Sequence, residues 1–371
     1  LETVAVVNPK TPPIPKTFYY IDLESVESGI LVKENIVSSD DAPSRAQRVL
    51  QINDILYQTV RPYQKNNYFF EVEREIPTVA STGYAQIRTA ENPYFFYELF
   101  HTPRFVSNVL LRCTGTSYPA VSGSDLNDIK VAYPNRIEQQ KIAAFVQLLE
   151  KRIDAQRRLV EALKSYKRGV IFASFKENNR FNFEMKYTSM ASLLTVYRNR
   201  DTSGLRVCSV AVQKGVVDQI EHLGRSFAAS DTSNYGRVEY GDVVYTKSPT
   251  GDFPYGIVKQ SRLKESVAVS PLYGVYRPSS FEVGSLLHYY FEQKEHTNNY
   301  VRSLSQKGAK NTINITTERF MEKAILFPTN DSDVKALVGL LDAIEKQIAA
   351  QNAVLERLLD YKRTLLQQLF I

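Results

Sequence analysis

Two kinds of residue grouping in this chain could do chemistry: groups that move atoms, and groups that read a polyanion. The first kind is thin. "ENPYFF" (Glu91 to Phe96) has the outline of the Asn/Asp-Pro-Pro-aromatic turn with which amino-methyltransferases hold a target amine. It carries only one proline, however, and no glycine-rich strand-to-helix loop precedes it. Asn92-Pro93 reads more simply as a helix start. Asp125, Asp128 and Lys130 have an Asp…Asp-x-Lys spacing that a nuclease could use, but the expected setting is a strand end with solvated charges. The four histidines are scattered, and "QKGAK" lacks the spacing of a phosphate-binding loop. Cys113 and Cys208 lie far apart with no Cys-x-x-Cys or His/Cys grouping, which predicts reduced thiols, no disulfide framework and no zinc site. No catalytic residue and no metal ligand is assigned, and the chain reads as a non-enzyme.

The second kind is richer. In "SLSQKGAKNT" (Ser303 to Thr312), Lys307 and Lys310 flank Gly308, while Gln306 and Asn311 carry amides able to bond base edges bidentately. "RCTGTSYPA" offers Thr116, Ser117 and Tyr118 at an equivalent place earlier in the chain. "YTKSPTG" offers Lys247, and its earlier equivalent "TVRPYQKNN" offers Arg61, Gln64 and Lys65. Any one of these is an ordinary polar surface loop. As a set placed in matching loops of two halves, they predict a DNA-reading surface.

Net charge gives this only partial support. The total is +6, but residues 1–135 hold 12 Lys+Arg against 15 Asp+Glu. Residues 136–175 hold 9 against 4, residues 176–330 hold 20 against 15, and residues 331–371 hold 5 against 6. A bulk electrostatic grip on phosphates is therefore not evident in the first segment. No run of 18 apolar residues exists, so no membrane span is expected. The start, "LETVAVVNPK", has neither an initiator Met nor a signal-peptide pattern, as expected if the chain begins inside a longer natural sequence. A reduced, cytoplasmic setting fits the cysteines.

The elements that must position the loops come in two copies. "EKRIDAQRRLVEALKSYKRGVIFASF" (Glu150 to Phe175) and "EKQIAAQNAVLERLLDYKRTLLQQLF" (Glu345 to Phe370) share 11 of 26 positions at an offset of 195. Upstream the matches continue with shrinking offsets: Pro134 and Pro328 at 194, Gly115 and Gly308 at 193, Tyr84 and Tyr273 at 189, Asp54 and Asp242 at 188. Drifting offsets in the right order are what duplication followed by loop deletions leaves. Each copied segment is a long helix. Ile142, Val146, Leu149, Ile153, Gln156, Val160 and Leu163 alternate by 4 and 3, as do Leu337, Leu341, Ile344, Ile348, Gln351, Leu355 and Leu358. Gln156 and Gln351 are the matching polar residues in mid-seam, and an antiparallel pairing about a pseudo-twofold would let their amides bond and fix register. Between the helices, runs such as "FYYIDL", "DILYQTV", "RVCSVAV", "DVVYTK" and "LYGVYR" predict short strands. One helix per globular unit is expected, at "PYFFYELF" and "GSLLHYYFEQ".

The expected fold is α+β: two similar mostly-β domains, 1–135 and 176–330, separated by long helices at 136–175 and 331–371 that pack as an antiparallel coiled coil. In this order and in these residues the chain resembles the specificity (S) subunits of type I restriction-modification enzymes. "YPNRIEQQKIAAFVQLLEKRIDAQRRLVEALKSYKRG" is similar to that family's central spacer helix. "TSYPAVSGSDLNDIKVAYP" and "LSQKGAKNTINITTERFMEKAILFP" resemble the ends of its target recognition domains, and "YYIDLESVESGIL" an early strand and turn. The resemblance covers essentially the whole chain, strongest in the helices and domain ends, with the first recognition domain starting almost at residue 1. It implies a subunit without chemistry of its own, each domain reading half of a bipartite duplex DNA target and the helices setting the unread spacing. It also implies two docked modification subunits carrying S-adenosylmethionine, and restriction subunits using ATP and Mg. The repeated triplets Tyr166-Lys167-Arg168 and Tyr361-Lys362-Arg363 are then expected to be docking points for those partners. Two competing readings are a coiled-coil scaffold joining non-DNA modules, favoured by the weak charge of the first domain, and a self-contained methyltransferase or nuclease.

Overall fold

Strands form here where β-branched and aromatic residues run in short stretches between turn residues, and they assemble twice on one plan. The structure, a computed structural model, describes residues 1–200, 202, 204–225, 232–304, 306–307 and 313–370. It divides into two compact units, Leu1–Arg157 with Ala353–Ile371, and Arg158–Asn352.

In the first unit the strands are β1 (Ala5–Val7), β2 (Thr17–Ile21), β3 (Val26–Glu27), β4 (Ile30–Leu31), β5 (Asn35–Ser38), β6 (Ala46–Val49), β7 (Asp54–Gln58), β8 (Tyr68–Phe70), β9 (Thr78–Ser81) and β10 (Tyr84–Thr89). One antiparallel sheet has the order β1-β10-β7-β8; the other, β5-β2-β9-β6, contains the parallel pair β2 and β9. Helices α1 (Pro93–Leu99) and α2 (Pro103–Leu110) follow, then α3 (Gly123–Asn127) and the long α4 (Arg136–Ser174). Ile55, Tyr57 and Ile87 of the first sheet share a core with Phe95, Phe96, Phe100, Phe105 and Val109 of the helical layer. Truncating a fully buried Phe such as Phe96 to Ala would cost about 3–5 kcal/mol.

The second unit opens with β11 (Met185–Ser189), α5 (Met190–Leu193), β12 (Leu194–Val196), β13 (Val207–Ala211), β14 (Gly215–Asp218) and α6 (Gln219–Leu223). It continues with β15 (Gly236–Val238), β16 (Val243–Tyr245), β17 (Val258–Gln260), β18 (Val267–Val269), β19 (Gly274–Pro278), α7 (Phe281–Glu292) and α8 (Lys294–Arg302). The pair β20 (Gln306–Lys307) and β21 (Ile313–Asn314), then β22 (Ala324–Pro328) and α9 (Asp331–Leu369), complete it. Its sheets run β12-β19-β16-β17 and β14-β13-β18-β15, with β13 and β18 parallel. Strand for strand these two four-stranded sheets repeat the order of the first unit, and the second unit adds the antiparallel pair β11–β22. The β3–β4 hairpin is an insertion of the first unit, between strands that the second joins by the turn from β13 into β14.

Both long helices contain 39 residues, about 58 Å each at 1.5 Å per residue. Each starts on an asparagine cap: Asn135 Oδ1 accepts from the Glu138 N–H at 3.0 Å, and Asn330 Oδ1 from Asp333 at 2.8 Å. The 3.5-residue seam is buried or half-buried along its whole length in both helices. The two units divide along the helices, so that each globular part keeps a stretch of both. In the first unit Glu150 of α4 meets Lys362 of α9, while the earlier Ile142 and Ala143 share a cluster with the later Phe370, so the stretches run antiparallel.

Two expectations need correction. Each unit carries a second substantial helix, α2 and α8, beyond the one foreseen. The α8 run, "KEHTNNYVR", is poor in strong helix formers, and burial of Thr297, Tyr300 and Val301 holds it. Asp125 and Asp128 do not lie at a strand end. Ser122 and Asp125 form a capping box that starts α3, and Asp128 closes it.

Candidate nucleic-acid interface

The interior that supports the loops is doubled to the level of single side chains. Asn53 (φ 73°) and Gly241 (φ 91°) each take a left-handed turn just before an aspartate at the head of an inner strand, Asp54 as the first residue of β7 and Asp242 immediately before β16. Asp54, fully buried, accepts from the Gln51 N–H at 2.7 Å, from Gln86 Nε2 at 2.7 Å, and from Arg88 Nε and Nη2 at 2.8 Å. Asp242 accepts from the Glu239 N–H at 2.9 Å and from Arg277 Nε at 3.1 Å. Burial pushes the Asp242 carboxyl above its usual range, and its hydrogen bond from Arg277 opposes that rise. Both aspartates pin the turn leading into the strand whose far end carries a candidate reading loop.

In the first unit the structure brings two of the foreseen loops together. The Arg61 N–H donates to the Pro119 carbonyl at 2.8 Å, and Val60 and Thr114 both bridge to Ala120. Thr116, Ser117 and Tyr118 are exposed, Tyr118 at 64%, and the Arg61 guanidinium lies 4.3 Å from the centre of its ring. Gln64 is exposed and Lys65 half-buried, and each makes a bond within the protein. Gln64 accepts from Gln58 Nε2 at 2.8 Å, and Lys65 Nζ donates to the His101 carbonyl at 3.0 Å; burial lowers the Lys65 pKa. Of the foreseen set, Gln64, Thr116, Ser117 and Tyr118 are exposed and Arg61 and Lys65 half-buried; Arg61 rests on the Tyr118 ring, while Gln64 and Lys65 also brace the loop through their bonds.

In the second unit Lys247, also left-handed at φ 54°, donates from Nζ to Thr317 Oγ1 at 3.1 Å, and burial lowers its pKa. Gln306 and Lys307 lie on β20, paired in register with Asn314 and Ile313 of β21. Lys310 and Asn311, and the side chains of Gln306 and Lys307, lie outside the described residues. Beside Thr317 runs a groove that the sequence reading missed, lined by Arg198, Asn199, Arg200 and Asn234. Arg198 is ion-paired with Glu318, and Arg277 stacks at 3.9 Å on the Tyr197 ring nearby. The alternating "RNR" after β12 was the available signal; only the fold shows that it faces Thr317.

The Tyr-Lys-Arg triplets divide by residue. Tyr166, Arg168, Tyr361 and Arg363 face solvent. The two lysines do not, which corrects their expected role as surface docking points. Lys167 Nζ donates at 2.6 Å to Glu292 of α7 and at 2.6 Å to Glu345 of α9. Lys362 pairs with Glu98 of α1 at 3.3 Å and with Glu150 of α4. Burial alone would lower the Lys362 pKa, but Glu98 and Glu150 hold it above its ordinary value. Each lysine thus ties a globular helix to both long helices within its own unit. Gln156 is buried and Gln351 half-buried at matching points of their helices. Among the described residues no group of three or more His, Cys, Asp or Glu could hold a metal ion, and no helix is long and apolar enough to cross a membrane.

In sequence, no family model and no curated protein matches the chain. In structure it is similar to a chain solved for the "complex assembly and conformational transition of the type I R-M system", at 20% identity and TM-score 0.58, over 100% of this chain and 96% of that one. It is also similar to the type I restriction-modification S subunit of M. genitalium, at 10% identity and TM-score 0.56, over 100% and 94%. The HsdS subunit of Thermoanaerobacter tengcongensis aligns at 20% identity over 95% and 90%, with a TM-score of 0.45. The fold is that of a type I S subunit along its full length.

Proposed function

We propose that the chain is the DNA-specificity subunit of a type I restriction-modification enzyme, with each unit reading one half of a bipartite duplex target. What supports this most is that one two-sheet plan occurs twice, each copy joined to a long helix, over the whole span of an S-subunit fold. Arg61, Gln64, Lys65 and Thr116–Tyr118 would meet one half-site. Lys247 with Arg198 and Arg200 would meet the other, alongside Gln306, Lys307, Lys310 and Asn311. The paired helices set the count of unread base pairs, and Gln156 and Gln351 are assigned their register. The chain itself performs no bond chemistry in this reading. Two modification subunits supply S-adenosylmethionine and methyl transfer, restriction subunits supply ATP- and Mg-dependent cleavage, and the assembly works in the cytoplasm. The outward Tyr166, Arg168, Tyr361 and Arg363 are proposed to dock the modification subunits.

Long-read mapping of adenine methylation in a host with and without this gene tests the proposal. Loss of one two-part motif on deletion is the expected result. An unchanged methylation map in a strain whose modification gene is intact would refute it.

A further inference from the structure

Arginines lie over aromatic rings at several places: Arg61 on Tyr118, Arg74 on Tyr19, Arg262 on Phe281 and Arg277 on Tyr197. Three of them also hold a carboxylate: Arg74 pairs with Glu34 at 2.8 Å, Arg262 with Asp342 at 3.8 Å, and Arg277 with Asp242 at 3.1 Å. Arg61 is the exception. Its guanidinium has the ring and no hydrogen-bonding or ionic partner among the described residues, and its Nε is buried without an acceptor.

The backbone at Arg61 is unusual as well. It is left-handed (φ 54°, ψ 54°) immediately before Pro62, where the proline ring favours an extended conformation. Two hydrogen bonds hold it there, from its own N–H to Pro119 and from the Gln64 N–H to its carbonyl at 3.0 Å. Strain of this kind persists where neighbouring structure enforces it, most often at binding sites. The loop thus fixes the root of the side chain, the Tyr118 ring packs against its guanidinium, and the donor fork has no acceptor among the described residues.

A planar, pre-ordered guanidinium fits an acceptor pair lying in one plane. On duplex DNA that pair is O6 and N7 of guanine in the major groove, and ordering the fork beforehand lowers the entropic cost of the bidentate contact. A phosphate would be met as well by an unstacked, mobile arginine. We infer that Arg61, stacked on Tyr118, reads a guanine in the half-site assigned to the first unit. Tyr118 acts as a positioning residue for that fork. This rests on the DNA-specificity reading above and adds a base and a residue to it.

The test uses the chromosomal gene with its neighbours intact. Wild type, Arg61→Ala, Arg61→Lys, Tyr118→Phe and Tyr118→Ala are compared by methylation mapping, with thermal melting of each purified full chain. Arg61→Ala should turn one guanine position degenerate, reducing discrimination there roughly 10- to 100-fold, and leave the other half-site and the spacing unchanged. Arg61→Lys should relax the same position in part, because an ammonium cannot engage both acceptors in one plane. Tyr118→Phe should keep the motif, and Tyr118→Ala should weaken that one position several-fold. The inference is overturned if Arg61→Ala keeps the guanine, or if it lowers methylation evenly across all sites while melting like wild type, as a phosphate contact would. If deleting the gene leaves the methylation map unchanged, the DNA-specificity reading fails before this one is reached.

Discussion

The two units agree inside and differ at the loops. Asp54 with Arg88 matches Asp242 with Arg277, and Lys362 with Glu98 and Glu150 matches Lys167 with Glu292 and Glu345. The parallel strand pair recurs in both second sheets. At the loops proposed to read DNA the likeness ends: one unit offers an arginine that, among the described residues, has only an exposed tyrosine ring for a partner, the other a lysine bonded to Thr317 beside an arginine-lined groove. A repeated interior with divergent loops is what two readers on one scaffold require, because changing a core ion pair threatens the fold, while changing a loop residue alters what is bound.

The largest effect that would sharpen this comparison lies at the lysine ties. Lys362 neutralises Glu98, whose side chain is only 1% exposed, so Lys362→Met leaves a charge buried without its partner. The expected loss is about 3–5 kcal/mol. At the matching position Glu292 and Glu345 are 32% and 51% exposed, and water screens them once Lys167 is gone. Lys167→Met should cost about 1 kcal/mol. Urea unfolding of the two single variants measures both. Equal losses would show that the two ties are alike in energy as well as in geometry, contrary to their exposures.

Acid should strike both units, through histidines at unmatched positions. In the first, His101 Nδ1 donates to the Tyr97 carbonyl at 2.8 Å, which leaves Nε2 to accept from Asn67 Nδ2 at 3.3 Å. The Asn67 amide is oriented by the Gln58 N–H on its oxygen at 2.8 Å. A proton on Nε2 would therefore face a donor. Burial, and then the nearby Lys362 charge, lower the His101 pKa to about 4. In the unfolded chain the same group titrates near 6.5, so between roughly pH 6.5 and 4 the unfolded state binds the extra proton. Stability should be full above that window and fall through it, by on the order of 3 kcal/mol from this group. His288 of the second unit, whose Nδ1 accepts from the Gln260 N–H at 3.2 Å and whose pKa burial drives well below its usual value, acts in the same direction. Melting temperatures from pH 7 to 5 for wild type and His101→Gln check this. A variant that keeps the full slope would place the acid sensitivity elsewhere.

What the sequence disclosed and what it hid follow from range. The seam residues, the helix start at Asn92 and strands such as "DILYQTV" depend on neighbours a few positions away, and they were legible. Asn92 does cap α1, accepting from the Phe95 N–H at 2.9 Å. The lysine ties were misread because Glu98 lies 264 positions from Lys362 and Glu292 lies 125 from Lys167. Seen from the helix alone, a Tyr-Lys-Arg triplet shows three basic or amphipathic surface residues. Arg61 and Tyr118 were each singled out, but their stacking depends on two loops being latched at Pro119, which no local pattern encodes. The groove of Arg198 and Arg200 was missed for the same reason.

The smallest expected effect on stability bears on the face that the helices turn to solvent. Tyr166 and Tyr361 are 58% and 50% exposed and occupy matching positions, whereas the lysine that follows each turns inward. Replacing either tyrosine with serine should change unfolding free energy by less than about 0.5 kcal/mol, as is usual for surface substitutions away from a buried network. If each marks a docking point for a modification subunit, the double variant Tyr166→Ser with Tyr361→Ser should lose co-purification with that subunit, and each single variant should retain one copy. Full co-purification by the double variant would leave the repeated tyrosines with no role in docking. The repeat inside each triplet would then be explained by its lysine alone, since that residue builds each unit onto the helix pair.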